Sequence, residues 1–497
     1  MKTNRRSFLQ TSLAVGALTV ANHSALLRAM ESPAVHPSIL QAEGSEIVEG
    51  GRAVRLRGMN LGGWMLIEDY IIGLPWTEWK IREQFLKVLG EESHSAFFNA
   101  YDQAYIAEAD IAFLARTGFN AVRLPFNYRH FESDLEPGKW KESGFQQLHR
   151  VVELCRKHQI WVILDLHAAP GAQARDQNAG SAYGETYFWN YRSFIDRTVV
   201  LWAEIARRYS GDPIIAAYNL LGEPVTSNVA LLNDFSRACI RAIRSVDRDH
   251  LILLDPNFWA RDITSLHEDL FADANVMVGI HPYFQGDGLF GQKGGTFDSL
   301  ATYPAVIDGN RYDRAALART IDSKYDTSHL HCPVMASEFG VFRSNPQPFA
   351  TQLAIVRDQL SIFEEKGWSW TMWCYKDLRD MGVVTVRTDT PWRRFLDSPE
   401  IVQFRQRYKE MEASFLQGVG KMLAATDIDV DIRDQWAREV TRDFDPPALD
   451  FILRRLAKHS PAELAELARS FAFGSCEVHQ EQLAILMPYL QGSVNRP

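Results

Sequence analysis

Eight short apolar runs recur along this chain, separated by stretches of helical character, and little else in the sequence limits the fold so severely. The runs cover residues 54–61, 119–124, 160–166, 214–221, 251–255, 276–281, 333–338 and 368–373. Most are apolar throughout rather than alternating, as parallel strands covered on both faces require. Helical stretches at 104–117, 145–158, 188–209, 229–246, 314–325 and 349–366 precede six of them, and a thin one at 263–270 precedes the sixth run. Gly118 and Gly211-Asp212-Pro213 are plausible helix stops. Strand and helix repeated eight times predict a (β/α)8 TIM barrel; an open, doubly wound sheet is the alternative.

Such a barrel takes about 250 residues and can exceed about 400 with insertions, so a chain of 497 residues leaves room for additions. Residues 45–399 are assigned to the barrel. A hairpin around Gly50-Gly51, at 46–54, is expected to close its bottom. Residues 400–497 read as a helical C-terminal extension with a break at Pro446-Pro447, suited either to a cap on the barrel or to a partner surface. Residues 31–44 read as a polar linker. In residues 1–30, Arg5-Arg6 stands before a weakly apolar stretch at 13–21 that is too short to cross a bilayer. This resembles a twin-arginine export signal, which implies a periplasmic or extracellular protein. No later segment is apolar for long enough to be an integral membrane span.

The 53 basic and 62 acidic residues give a net charge of −9, which argues against a nucleic-acid binder, since that would carry a basic stripe. Five cysteines, with no CxxC pair or Cys/His cluster, read as buried thiols; one disulfide is possible.

In a barrel the C-terminal ends of the strands share one face, and active sites sit there. The runs end, in order, at Asn60 with Gly62-Gly63-Trp64, at Arg123, at Asp165 and His167, at Glu223, at Asp255 with Asn257 and Trp259, at His281 and Tyr283, at Glu338, and at Trp373. Each has a dull explanation alone: Glu223 before Pro224 as a surface turn, His167 as a satisfied core histidine, Arg123 as a structural ion pair, Trp373 as core. Together they fill one predicted rim. Two carboxyl groups from the fourth and seventh strands face each other, as glycoside hydrolysis requires. Arg123 and Tyr283 could hold Glu338 ionised, His167 and His281 could orient sugar hydroxyls or the acid, and Trp373 offers a flat face to a sugar ring.

At these residues the chain resembles glycoside hydrolase family 5. The matching stretches are Leu56-Arg57-Gly58-Met59-Asn60-Leu61-Gly62-Gly63-Trp64, Asn120-Ala121-Val122-Arg123-Leu124-Pro125, Asp165-Leu166-His167-Ala168-Ala169-Pro170-Gly171, Leu221-Gly222-Glu223-Pro224, His281-Pro282-Tyr283, Ser337-Glu338-Phe339-Gly340 and Trp373. They run in the family's order from about 45 to 395, and the opening looks most like the exo-1,3-β-glucanase branch. The resemblance implies a retaining β-glycosidase acting on a β-glucan or β-glucoside, an oligo- or polysaccharide substrate, and no cofactor or metal. It implies Glu223 as acid/base and Glu338 as nucleophile, with Arg123, His167, His281, Tyr283 and Trp373 supporting them.

Two departures qualify it. The family has Asn before the acid/base, where it bonds the sugar 2-hydroxyl; here that residue is Gly222. Asn219, three residues back, is about 10 Å away along a strand. Asn257 or Gln173 is expected to reach in instead; a substrate unusual at C2, a weak or inactive carbohydrate-binding barrel, and a transglycosylase are the other readings. Lys376, Asp377 and Arg379 follow Trp373 unexpectedly, and read either as contacts to a polar substrate group or as a solvated loop. Rim loops at 169–186 and 285–308 are long enough to narrow a groove into a pocket.

Overall fold

The computed structural model describes residues 38–284, 297, 300–343, 347–423 and 445–490. The chain divides into two compact units, residues 1–36 and 37–497, and all described residues belong to the second. The export signal, most of the expected linker and most of the 285–308 loop lie outside the described residues.

All eight apolar runs become the strands of one closed barrel. In chain order these are β1 (Arg57–Asn60), β2 (Ala121–Asn127), β3 (Trp161–Ala168), β4 (Ile215–Asn219), β5 (Leu251–Leu254), β6 (Val276–Ile280), β7 (Val334–Ala336) and β8 (Ser369–Met372). Each pairs in parallel with its neighbours, and β8 closes on β1. The ladder sets Asn60 beside Arg123, and Asp165 beside Asn219, so four polar side chains meet at one level. The interior below them is apolar: Leu56, Ala121, Trp161, Ile163, Ala217, Leu253, Met277 and Met335 form a buried cluster.

Leu40 and Ile47 join that cluster from below. Ile47 belongs to, and Leu40 immediately precedes, a three-stranded antiparallel sheet, Gln41–Glu43, Glu46–Glu49 and Arg52–Val54. The bottom therefore carries the expected hairpin plus a strand drawn from the end of the stretch read as linker.

The outer helices follow their apolar spacing. Helix Val229–Arg244 starts at Asn228, whose side chain accepts from the Leu231 N–H, and buries Leu232, Phe235, Cys239 and Ile243 on one face. Residues 263–270 form only two 3-10 turns, Ile263–Ser265 and Glu268–Ala272. Between β1 and β2 stand two further helices, Glu78–Leu89 and Glu91–Tyr105, with Glu108–Thr117 after them. The single helix expected at 104–117 is thus the tail of one and all of another. Phe85, Phe97, Phe98, Tyr101 and Tyr105 supply their buried face.

The C-terminal extension is built into the barrel's flank. Helix Asp445–Leu456 packs on Glu78–Leu89, and Pro461–Ala468 on Glu91–Tyr105. Strand Cys476–Val478 pairs with Val384–Val386, which lies beside Lys376–Asp377. Leu449, Leu453, Leu456, Leu464, Phe471, Leu486 and Leu490 join the main core. Pro446-Pro447 opens a helix rather than breaking one, since Pro suits the first turn, where the N–H groups have no partner. Four of the five cysteines are buried and all are free.

Lys376 and Asp377 fit neither expectation. Both are fully buried. Lys376 Nζ lies 2.5 Å from Asp110 Oδ1 and donates to the carbonyls of Tyr105 and Phe471. Asp377 Oδ2 accepts from the N–H groups of Asp380 and Met381. Arg379 is exposed.

Candidate active site

The strand ends converge as the sequence predicts. Arg123, fully buried, is the hub. Its NH1 donates to Glu338 Oε1 at 2.6 Å and to Asn60 Oδ1 at 3.0 Å, and its Nε to Asn219 Oδ1 at 2.9 Å. Its NH2 lies 3.0 Å from Asp165 Oδ2 and 3.9 Å from Asp255 Oδ2. Burial disfavours the guanidinium charge, but Asp165, Glu338 and Asp255 outweigh it and hold the pKa above its ordinary value.

Glu338 also accepts from the Tyr283 hydroxyl at 3.2 Å. Burial, with the charge of Glu338 next, raises the Tyr283 pKa well above its usual value, so the phenol stays a donor. Glu223 sits at φ +51°, a left-handed backbone that costs an L residue about 1 kcal/mol. Its Oε1 lies 2.7 Å from His281 Nδ1, and its Oε2 accepts from the Asn178 amide at 2.8 Å. Burial pushes the His281 pKa down to about 4, against the charges of Glu338 and Asp255, so the ring is neutral near pH 7. His167 behaves oppositely. Burial works against its charge too, but Asp165, 2.9 Å from Nδ1, and Glu338 push the pKa up to about 9. The two carboxylates therefore meet different neighbours: a guanidinium bonds Glu338, whereas Glu223 bonds the neutral His281 ring and the Asn178 amide, with the charged His167 ring standing 3.8–3.9 Å from both.

Glu223, His281 and Glu338 present atoms within 4.8 Å of one another. That spacing would also suit a metal triad, but the Arg123 guanidinium already stands against Glu338 as the local cation. The Trp373 ring stacks on His167, 24° from parallel at 6.3 Å, and its Nε1 donates to Tyr70 at 2.5 Å. A Cβ at Gly62 would fall 2.4 Å from that ring, so the Gly-Gly-Trp opening needs a glycine there.

One expected residue stands elsewhere in purpose. Asn257 spends both side-chain atoms on the backbone of Thr226, fixing the loop after Glu223. Gln173 donates to the carbonyls of His167 and Gly222. Neither reaches the carboxylates. Sequence reasoning missed Asn178, Glu68 and Tyr70. Glu68 follows β1, and burial first, then the charges of Glu338, Asp69 and Glu223 opposed by His167, push its carboxyl well above the usual range. The 169–186 loop carrying Asn178 was recognised as rim, but its composition gave no sign of which residue turns inward.

A sequence model described as Cellulase (glycosyl hydrolase family 5) matches residues 83–379. The chain belongs to glycoside hydrolase family 5. A β-xylosidase of Phanerodontia chrysosporium is 32% identical over 485 residues, covering 89% of this chain and 96% of that protein. A probable glucan 1,3-β-glucosidase A of Emericella nidulans is 29% identical, covering 47% of this chain and 59% of that protein. Endoglucanase C of Acetivibrio thermocellus is 28% identical, covering 40% of this chain and 49% of that protein. The solved structure of AoRut shares the fold, with a TM-score of 0.51 at 18% identity, over 65% of this chain and 89% of that one. This family 5 protein is a glycoside hydrolase, and its substrate is a carbohydrate. Among the described residues, no helix is long and apolar enough to cross a membrane.

Proposed function

We propose that this family 5 hydrolase is a retaining β-glycosidase, with Glu338 as nucleophile and Glu223 as acid/base, acting on a β-glucoside or β-glucan. The observation that carries this reading is the carboxylate pair itself. Oxygens of Glu223 and Glu338 stand within 4.8 Å, which suits the separation of about 5–5.5 Å used for direct attack rather than the roughly 6.5–9.5 Å that admits a water. Arg123 offers a full positive charge to the group that must attack as an anion. Glu223 bonds the neutral His281 ring and the Asn178 amide, with the charged His167 ring 3.9 Å off, an arrangement suited to carrying a proton to the leaving oxygen and then activating water. Arg123, His167, His281, Tyr283 and Trp373 support the sugar and the two acids.

Glu338→Ala should abolish turnover of an aryl β-glucoside, with partial recovery in azide. Glu223→Ala should harm substrates with poor leaving groups far more than activated aryl glycosides. Normal turnover by Glu338→Ala would overturn the roles. The first product seen by NMR should keep the β configuration. A second reading, β-xyloside cleavage, is favoured by the full-length β-xylosidase relative; kcat/KM on matched aryl β-xylosides and β-glucosides decides between them. Excess sugar acceptor in the same assay reports any transglycosylation. We further propose export by the twin-arginine route, supported by Arg5-Arg6 and the stretch after it. Replacing both arginines by lysine should leave the protein in the cytoplasmic fraction.

A further inference from the structure

Position 222 is closed to any side chain. A Cβ built there would lie 2.3 Å from His167 Nδ1 and 2.8 and 2.9 Å from two ring carbons. The ring cannot easily yield, because Asp165 holds Nδ1 at 2.9 Å and Trp373 stacks on it. The end of β4 therefore cannot offer an amide to a sugar bound between the carboxylates. Asn219 is spent on Arg123 and Asp255, and Gln173 and Asn257 are spent on backbone groups.

Asn178 does reach. Its Nδ2 lies 2.8 Å from Glu223 Oε2 and 3.4 Å from His167 Nε2. The loop that carries it is braced on several sides. The Thr77 hydroxyl donates to the Gln177 carbonyl at 2.9 Å, Trp79 Nε1 to the Gly180 carbonyl at 2.9 Å, and Trp76 Nε1 to the Ala182 carbonyl at 3.0 Å. Trp259 Nε1 donates to Asp176 Oδ2 at 2.7 Å. A side chain fixed in this way pays little ordering entropy when substrate binds. The amide nitrogen carries two N–H groups, so one can hold Glu223 while the other faces a sugar hydroxyl.

We propose that Asn178 is the positioning and specificity-determining residue of this site: it holds the acid/base by Oε2 and donates to the hydroxyl beside the anomeric carbon. The inference rests on the retaining reading above. Because β4 is closed, this contact comes from the β3 rim loop.

The test measures kcat and KM of wild type and Asn178→Ala on an aryl β-glucoside and its 2-deoxy analogue. The alanine variant should lose about 30- to 100-fold in kcat/KM on the 2-hydroxy substrate, and about tenfold less than that on the 2-deoxy one, where only the hold on Glu223 is removed. Equal loss on both, or none on either, overturns the hydroxyl contact. Asn178→Asp sets a second carboxylate against Glu223, and the basic limb of its pH–kcat/KM profile should move up by about one pH unit. An unmoved limb overturns the positioning half. Thermal unfolding accompanies each assay, and Asn178→Ser gives the same comparison if the alanine variant loses stability. Wild type that turns over no β-glycoside overturns the retaining reading and this inference with it. Wild type that turns over, beside an Asn178→Ala that matches it, overturns this inference alone.

Discussion

Adding one methyl group at Gly222 should damage this enzyme more than its size suggests. Gly222→Ala places a carbon 2.3 Å from His167 Nδ1, where ordinary contact begins near 3.4 Å. The ring must therefore retreat by about 1 Å. Gly222 is not in the left-handed backbone region, so alanine adds no backbone strain and the cost is the collision alone. Retreat stretches the charged hydrogen bond to Asp165, a loss of about 1.5–3 kcal/mol. Overpacking adds about 1–3 kcal/mol. A shift of that size beside both carboxylates costs catalysis about 100-fold. Urea unfolding and kcat/KM on an aryl β-glycoside read the two effects separately. Coupling to His167 is checked with the His167→Ala background, where Gly222→Ala should cost little stability because the colliding ring is gone. A Gly222→Ala enzyme with wild-type kcat/KM and unchanged unfolding would refute the reasoning. So would an equal stability cost in both backgrounds.

The two site histidines should pull the stability profile in opposite directions. His167, raised from 6.5 to about 9 by folding, contributes about 3 kcal/mol that is complete below pH 6.5 and lost as pH rises through 9. His281, lowered from 6.5 to about 4, contributes a similar amount that is complete above pH 6.5 and lost as pH falls through 4. Urea unfolding at pH 4, 6.5 and 9 should show His281→Gln flattening the acid side and His167→Gln the alkaline side. Lys376→Met leaves Asp110 buried and without its cation, and should cost about 3–5 kcal/mol in urea unfolding; a loss below about 1 kcal/mol contradicts a tight buried pair. Phe471→Ala empties a site enclosed by Tyr101, Tyr105 and Trp392, and should cost about 3–5 kcal/mol. It should also lower kcat/KM of the folded enzyme, which active-site titration reports.

The barrel was legible because each strand announces itself by an apolar run, and each run ends on residues that stand at the candidate site. Glu223, Glu338, Arg123, His167, His281, Tyr283 and Trp373 all meet at the expected rim for that reason. What escaped depends on distance across the fold rather than order along the chain. The inserted helices Glu78–Leu89 and Glu91–Tyr105 stand ahead of the one helix that a strand–helix repeat demands before β2, so nothing in the repeat asks for them. Lys376 and Asp377 read as substrate contacts or a solvated loop because charge normally meets a ligand or water, and Lys376 is tolerable inside through Asp110 and the carbonyls of Tyr105 and Phe471, all distant along the chain. Asn178 sits in a loop where no period applies, and only coordinates show which of its polar residues turns toward Glu223. The Asn257 expectation failed for a simpler reason: a nearby backbone N–H and carbonyl, both on Thr226, satisfied the amide before substrate could.

The C-terminal extension, by its contacts, braces the loop after β1 rather than standing apart from the barrel. Phe471 packs its ring against Tyr101 and Tyr105. Those two phenols donate to the carbonyls of Gly63 at 2.5 Å and Gly62 at 2.7 Å. Gly62 in turn stands close to the benzo end of the Trp373 indole, the proposed platform for the sugar. Two ring contacts and two hydrogen bonds, all buried, thus join the extension to the loop after β1. Lys376 ties the same helices from the other side, donating to Tyr105 and Phe471 together. A bare barrel would leave the loop after β1 resting on two tyrosines that had lost the Phe471 ring from both. Gly63, at φ +97°, would then be free to relax, and the tryptophan platform with it. The extension is therefore a backing for the loop after β1, and its leucines merge with the barrel's own core instead of forming a separate one.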